Sequence, residues 1–162
     1  MSLTKFYTLD KLGPVLTEER KKAKTVALAN GGFDLIHIGH IRYLKGAKET
    51  ADILVVALNS DRSLKKLKGE KRAILDEKAR VRIIASFECV DYVTTFDETT
   101  VDKVLLTLKP DVHCKGSDYT VDTVPERETV KSYGGKIAIV GGDKIRNTST
   151  IIKNIREKDK NN

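Results

Sequence analysis

Two of the chain's three histidines, His37 and His40, stand three positions apart behind the run Ala29-Asn30-Gly31-Gly32-Phe33-Asp34. An imidazole donates a hydrogen bond or carries a charge near neutral pH, so a pair beside a glycine-rich turn suits negative charge developing on phosphorus. Gly31 and Gly32 let the backbone approach a bulky anion. A helix expected to begin near Gly39 aims free N–H groups and a positive dipole end at the same place. G-x-G-x-x-G is missing and no Lys-Ser/Thr follows the glycines, so neither the dinucleotide fingerprint nor a P-loop is present. A zinc site would need His113 or Cys114 to join the pair; no C-x-x-C or H-E-x-x-H spacing supports one, and no metal ligands are assigned. The competing reading is structural: His37 caps the turn and His40 packs within the helix.

The second concentration of chemistry is charge. Residues 62–82 hold nine cations against three acids, nearly all of the net charge of +7. Such a patch attracts phosphate from a nucleotide, a sugar phosphate or a nucleic acid. The plain alternative is a solvated loop and helix face. Nucleic acid is not the expected partner. Five Tyr, four Phe and no Trp leave little for base stacking, and no RNP, KH or helix-turn-helix signature occurs.

The elements that must position these groups follow from periodicity. Short apolar runs at 25–29, 53–58, 92–95, 111–114 and 136–140 suit strands buried on both faces. Helices are expected over 8–22, from about Gly39 through Lys48, around Ala79 to Phe87, over 101–108 before Pro110, over 124–133 before Gly134-Gly135, and over 148–158. This alternation predicts an α/β fold, a single doubly wound parallel-sheet (Rossmann-like) domain with ligands at the carboxyl ends of its strands. The 162 residues suit one domain, read as an N-terminal helical extension (1–24), the domain itself (25–156) and a frayed polar tail (157–162). No apolar run spans a bilayer, no signal-peptide core is present, and two cysteines read as reduced thiols, so a cytoplasmic location and no membrane are expected.

The string Asn30-Gly31-x-Phe33-Asp34-x-x-His37-x-Gly39-His40 resembles the HxGH signature of the nucleotidyltransferase superfamily, which includes cytidylyltransferases and ADP-heptose synthases. Further segments agree in order: Leu58-Asn59-Ser60-Asp61, Leu67-Lys68-Gly69 with Arg72, Arg80 before Val90-Asp91-Tyr92-Val93, Lys115-Gly116-Ser117-Asp118-Tyr119, Tyr133-Gly134-Gly135, and Thr148-Ser149-Thr150-x-Ile152. The resemblance runs from about residue 25 to 155. Its Lys-Gly-Ser-Asp-Tyr and Tyr-Gly-Gly elements look most like the adenylyltransferase domain of ADP-heptose synthase. Ala29 and Gly32 depart from the Thr and Cys common there, and Thr148-Ser149 varies the usual Ser-Thr order.

The resemblance implies a nucleotidyltransferase domain in which a sugar-phosphate oxygen attacks the α-phosphorus of a nucleoside triphosphate, ATP favoured, and releases pyrophosphate. It implies His37, His40, Lys68 and Lys71 as catalytic groups. Asn30, Gly31, Gly32, Phe33, Asp34, Gly39, Arg72, Arg80, Lys115, Thr148, Ser149 and Thr150 would bind the nucleotide, and Asn59, Asp61, Gly116 and Asp118 the sugar phosphate. Lys68, Lys71 and Arg72 are read as a mobile basic loop. Asp34 has a turn-forming alternative, Asp118 a capping one and Arg80 an internal salt bridge. A magnesium ion held mainly by the nucleotide phosphates is the expected cofactor. The family often forms dimers, so a homodimer is an expectation from the resemblance alone. The alternative within the chemistry is a cytidylyltransferase using CTP and glycerol 3-phosphate or a similar alcohol phosphate. The alternative outside it is a nucleic-acid-binding domain using residues 62–82. A non-catalytic nucleotide sensor would be expected to lack one histidine, and both are present.

Overall fold

The computed structural model describes residues 4–69 and 74–142. Five strands, β1 (Val26–Gly31), β2 (Ile53–Asn59), β3 (Tyr92–Phe96), β4 (Val112–Gly116) and β5 (Lys136–Val140), form one parallel sheet in the order β3-β2-β1-β4-β5. Six α-helices lie between and before them: α1 (Leu9–Lys21), α2 (Ile38–Lys48), α3 (Asp61–Lys68), α4 (Glu77–Ala85), α5 (Asp102–Leu108) and α6 (Arg127–Ser132). A 3-10 turn, Val121–Thr123, precedes α6.

Apolar side chains leave both faces of the sheet, as an all-parallel arrangement requires. Every residue of β2 is buried. Val26, Leu28, Val55 and Ala57 point to one core, closed by Leu12 and Leu16 of α1, Leu105 and Leu108 of α5 and Val130 of α6. Ala27, Ala29, Leu54 and Val56 point to the other, closed by Leu44 and Ala47 of α2 and Val81 and Ile84 of α4. The chain builds outward from β1 through β2 to β3, then returns to lay β4 on the opposite side of β1. That reversal puts a crevice between the carboxyl ends of β1 and β4.

The expected alternation and parallel sheet are the observed ones, and three details differ. First, residues 61–68 form α3, a helix not among the expected ones, and it takes in Lys68, which is expected on a basic loop. Ser60 caps the helix by accepting the Ser63 N–H at 3.1 Å, and Leu64 is buried beneath its cationic face. Second, α6 begins at Arg127 rather than at 124, because Val124, the residue before Pro125, is extended (φ −66°, ψ 119°). Third, the N-terminal segment is part of the core. Leu12 and Leu16 are fully buried, and the backbones of Lys5 and Tyr7 hydrogen-bond Val93 at 2.8 and 3.0 Å, adding a bridge to the β3 edge. The expected helix over 148–158 and the tail over 157–162 lie outside the described residues. Cys89 and Cys114 are both free thiols. No helix among the described residues is long and apolar enough to cross a membrane.

Candidate active site

The turn after β1 is built by its own packing before any ligand is considered. Phe33 adopts φ 46°, a left-handed conformation that a bulky side chain enters only when its surroundings demand it. Its ring is buried 5.2 Å from His40 and stacked 6.3 Å from Tyr43. A Cβ on Gly32 would stand 2.7 Å from Leu64 Cδ1, so this glycine makes room for α3 as well as for any ligand. Asp34 ties the turn to the segment before α4: its Oδ1 accepts the Leu75 N–H at 2.9 Å. Its Oδ2 is buried and finds no hydrogen-bond partner among the described residues.

His37 is the N-cap of α2. Its Nδ1 accepts the Gly39 N–H at 3.1 Å, while His40 Nδ1 faces the His37 N–H at 3.4 Å. The two rings stack with centroids 3.9 Å apart. Because each Nδ1 is turned toward a backbone donor, each neutral ring carries its proton on Nε2. The capping and catalytic readings of the pair are therefore compatible: capping selects the tautomer that leaves Nε2–H for a ligand. Burial lowers the pKa of His37. Burial, with His37 and Lys68 adding to it, lowers that of His40 to about 4. Both rings are uncharged donors at neutral pH.

A cavity of about 280 Å³ opens at this crevice. It gathers Asn30, Gly31, Gly32, Phe33, Asp34, His40, Lys68 and Asp118 from three separate stretches of sequence. His37 joins through its stack on His40, and Gly39 through its bond to His37. Gly116 ends β4 beside the crevice. Lys115 is nearly buried, with its Nζ 3.2 Å from Asn30 Oδ1 and 3.1 Å from Glu126 Oε2.

Arg80, Asn59 and Asp61 are placed in the framework of the fold, which for Arg80 is the internal salt-bridge reading. Arg80 is 0% exposed. Its Nη1 donates to Gly32 O at 2.6 Å and Asn59 O at 2.8 Å, its Nε to Leu75 O at 3.1 Å, and its Nη2 to Asp61 Oδ1 at 2.7 Å. A guanidinium that spends four of its five N–H donors inside the fold locks the turns around β1 and β2. Asn59 donates from Nδ2 to Ser63 Oγ at 2.9 Å and so belongs to the same framework. The expected contacts at Lys71, Arg72, Thr148, Ser149 and Thr150 lie outside the described residues.

Three groups at the site carry no expected role. Tyr119 lines the cavity, and its ring lies 5.2 Å from Lys115 Nζ. Tyr43 sits three residues after His40 on the same helix face, a spacing legible in the sequence. Its hydroxyl accepts the Asn30 N–H at 3.2 Å and donates to Cys114 O at 2.8 Å, just past the last paired residues of β1 and β4. Glu126 comes from the start of α6, and no spacing in the sequence points to it.

Residues 28–161 match the family described as cytidylyltransferase-like. The bifunctional protein HldE of Geobacter sulfurreducens is 44% identical over 93% of this chain, and that of Methylobacillus flagellatus 42% identical over 93%. The chain spans about a third of the length of these relatives, 31% in each case. The crystal structure of the lipopolysaccharide core biosynthesis protein from Thermoplasma volcanium aligns with a TM-score of 0.65 at 30% identity, covering 76% of this chain and 99% of that one.

Proposed function

The chain belongs to the cytidylyltransferase-like family, and on that premise we propose that it transfers AMP from ATP to a sugar 1-phosphate. The acceptor we favour is D-glycero-D-manno-heptose 1-phosphate, with ADP-heptose and pyrophosphate as products. The observation that carries the reaction class is the stacked, uncharged histidine pair at the N-terminus of α2, beside a crevice where the strand order reverses. The likeness to HldE across nearly the whole chain supports a heptose acceptor.

In this reaction an oxygen of the acceptor phosphate attacks the α-phosphorus, a new P–O bond forms, and the bond to the β-phosphate oxygen breaks as pyrophosphate leaves. No protein nucleophile is required. His37 and His40 offer Nε2–H donors to the phosphoryl oxygens, where negative charge grows in the transition state. The positive dipole end of α2 adds to this, and Lys68 brings positive charge to the same cavity. Because the donors are fixed by capping and stacking, little reorganisation accompanies the reaction.

Magnesium fits this site as a nucleotide-held ion. Asp34 Oδ2, buried and without a partner among the described residues, is a hard oxygen on the cavity wall, and Asp118 supplies a second carboxylate there. Bound, the ion would neutralise phosphate charge and favour pyrophosphate as a leaving group. Nucleic acid has no part in this reading.

Pyrophosphate release with magnesium tests it, pairing ATP, CTP, GTP or UTP with heptose 1-phosphate or glycerol 3-phosphate. Release with ATP and heptose 1-phosphate is the expected result. Release only with CTP would move the donor to cytidine and keep the site. No release with any pair would overturn the reading.

A further inference from the structure

Asn30 is held from two directions. Its backbone N–H is taken by the Tyr43 hydroxyl, which is itself anchored on Cys114 O. Its side-chain Oδ1 accepts from Lys115 Nζ at 3.2 Å. Lys115 is only 7% exposed, and its charge is met by Glu126, with Oε1 at 3.3 Å and Oε2 at 3.1 Å. Glu126 is buried as well, and His113 Nε2 lies 3.7 Å from its Oε2. Burial raises the Glu126 carboxyl, but His113 and Lys115 outweigh it and hold the pKa at about 2. The carboxylate is therefore charged at neutral pH.

A buried ion pair is a weak source of stability, because desolvation offsets most of the attraction. Its directional effect is stronger. Lys115 has only donors, so it selects the oxygen end of the Asn30 carboxamide and leaves the nitrogen end for another partner. Asn30 lines the cavity beside Gly31 and Asp34.

We propose that Glu126 is a positioning residue: through Lys115 it fixes the Asn30 carboxamide so that Nδ2 serves the cavity as a hydrogen-bond donor to a phosphate or sugar oxygen. This rests on the cavity being the nucleotidyl-transfer site. Without the carboxylate, Lys115 loses its counter-charge and its fixed location, and the Asn30 amide is released to turn over.

The test is the side-chain amide resonance of Asn30 in a 15N-labelled chain, identified by its loss in Asn30→Asp. Glu126→Gln is expected to move that resonance toward the shifts of a freely rotating carboxamide while thermal unfolding stays cooperative. Should Glu126→Gln fail to fold, Glu126→Asp keeps the charge, shortens the reach and is expected to move the same resonance. An Asn30 resonance left in place by a folded variant would overturn the proposal. With turnover as the second readout, Glu126→Gln is expected to lower kcat/KM about tenfold, the scale of one charge-assisted hydrogen bond. Adding Asn30→Ala to it should then cause no further loss, whereas multiplying losses would show the two residues acting independently and also overturn it. If no nucleotide gives pyrophosphate release, the proposed reaction fails, and the Asn30 resonance still decides the role of Glu126.

Discussion

His40 works as a donor because its surroundings refuse it a charge. Its ring is packed against Phe33 and His37, and Lys68 stands close enough to add repulsion. Replacing it with alanine removes a pre-organised donor, so His40→Ala should lower kcat by about 10²–10³-fold. Urea unfolding should stay cooperative; near wild-type turnover would take His40 out of the chemistry. The same depressed pKa links stability to acid. The folded value is about 4 against an ordinary 6.5, so between these limits the unfolded chain takes up a proton that the native ring refuses. The native state is not penalised above the ordinary value and loses stability as pH falls through that window. His40→Asn should flatten this acid limb in urea midpoints measured across it, and an unchanged limb would assign it to other groups.

At the scale of elements, the site depends on how closely α3 and the turn after β1 approach each other. Gly32 leaves the space that Leu64 fills, and Arg80 of α4 binds the Gly32 carbonyl from the other side. Gly32→Ala should destabilise the fold by about 1–3 kcal/mol through overpacking. The loss measured by urea unfolding should be smaller in a Leu64→Ala background, where the added methyl has room. Arg80→Met should be worse, about 3–5 kcal/mol, since three carbonyls and the Asp61 carboxylate lose a buried donor together. A melting temperature close to wild type would return Arg80 to the list of ligand contacts. The strands, most helices and the histidine turn were legible because apolar periodicity and glycine-bounded turns are local signals. Helix α3 was not, because four Lys or Arg in eight residues look like solvent-facing loop until Leu64 is seen packing beneath Gly32.

For the whole molecule, the crevice exists because the chain reverses its winding between β3 and β4. The N-terminal segment is bound into that architecture. Leu12 and Leu16 are fully buried in the core that α1 shares with α5, and Arg20 Nη2 donates to the carbonyls of Leu108 and Lys109 at 2.8 Å each, closing the end of α5. Deleting residues 1–24 should therefore lower the melting temperature by at least ten degrees or abolish cooperative unfolding, because two fully buried leucines are each worth about 2–5 kcal/mol. A deletion variant that melts like the full chain would make the segment an appendage after all.

Sequence alone determined the parallel α/β architecture, the placing of the histidine pair at the first strand-to-helix turn, and the expectation of phosphate chemistry there. Each of these rests on residues close together in the chain. The tertiary structure decided which distant groups meet. It drew Arg80, Asn59 and Asp61 into the framework, laid the Tyr43 hydroxyl across the gap between β1 and β4, and brought Glu126 from α6 to Lys115. A charged side chain reads the same in sequence whether it faces a ligand or a buried carbonyl. Only the surrounding acceptors and the loss of solvent assign it to one or the other.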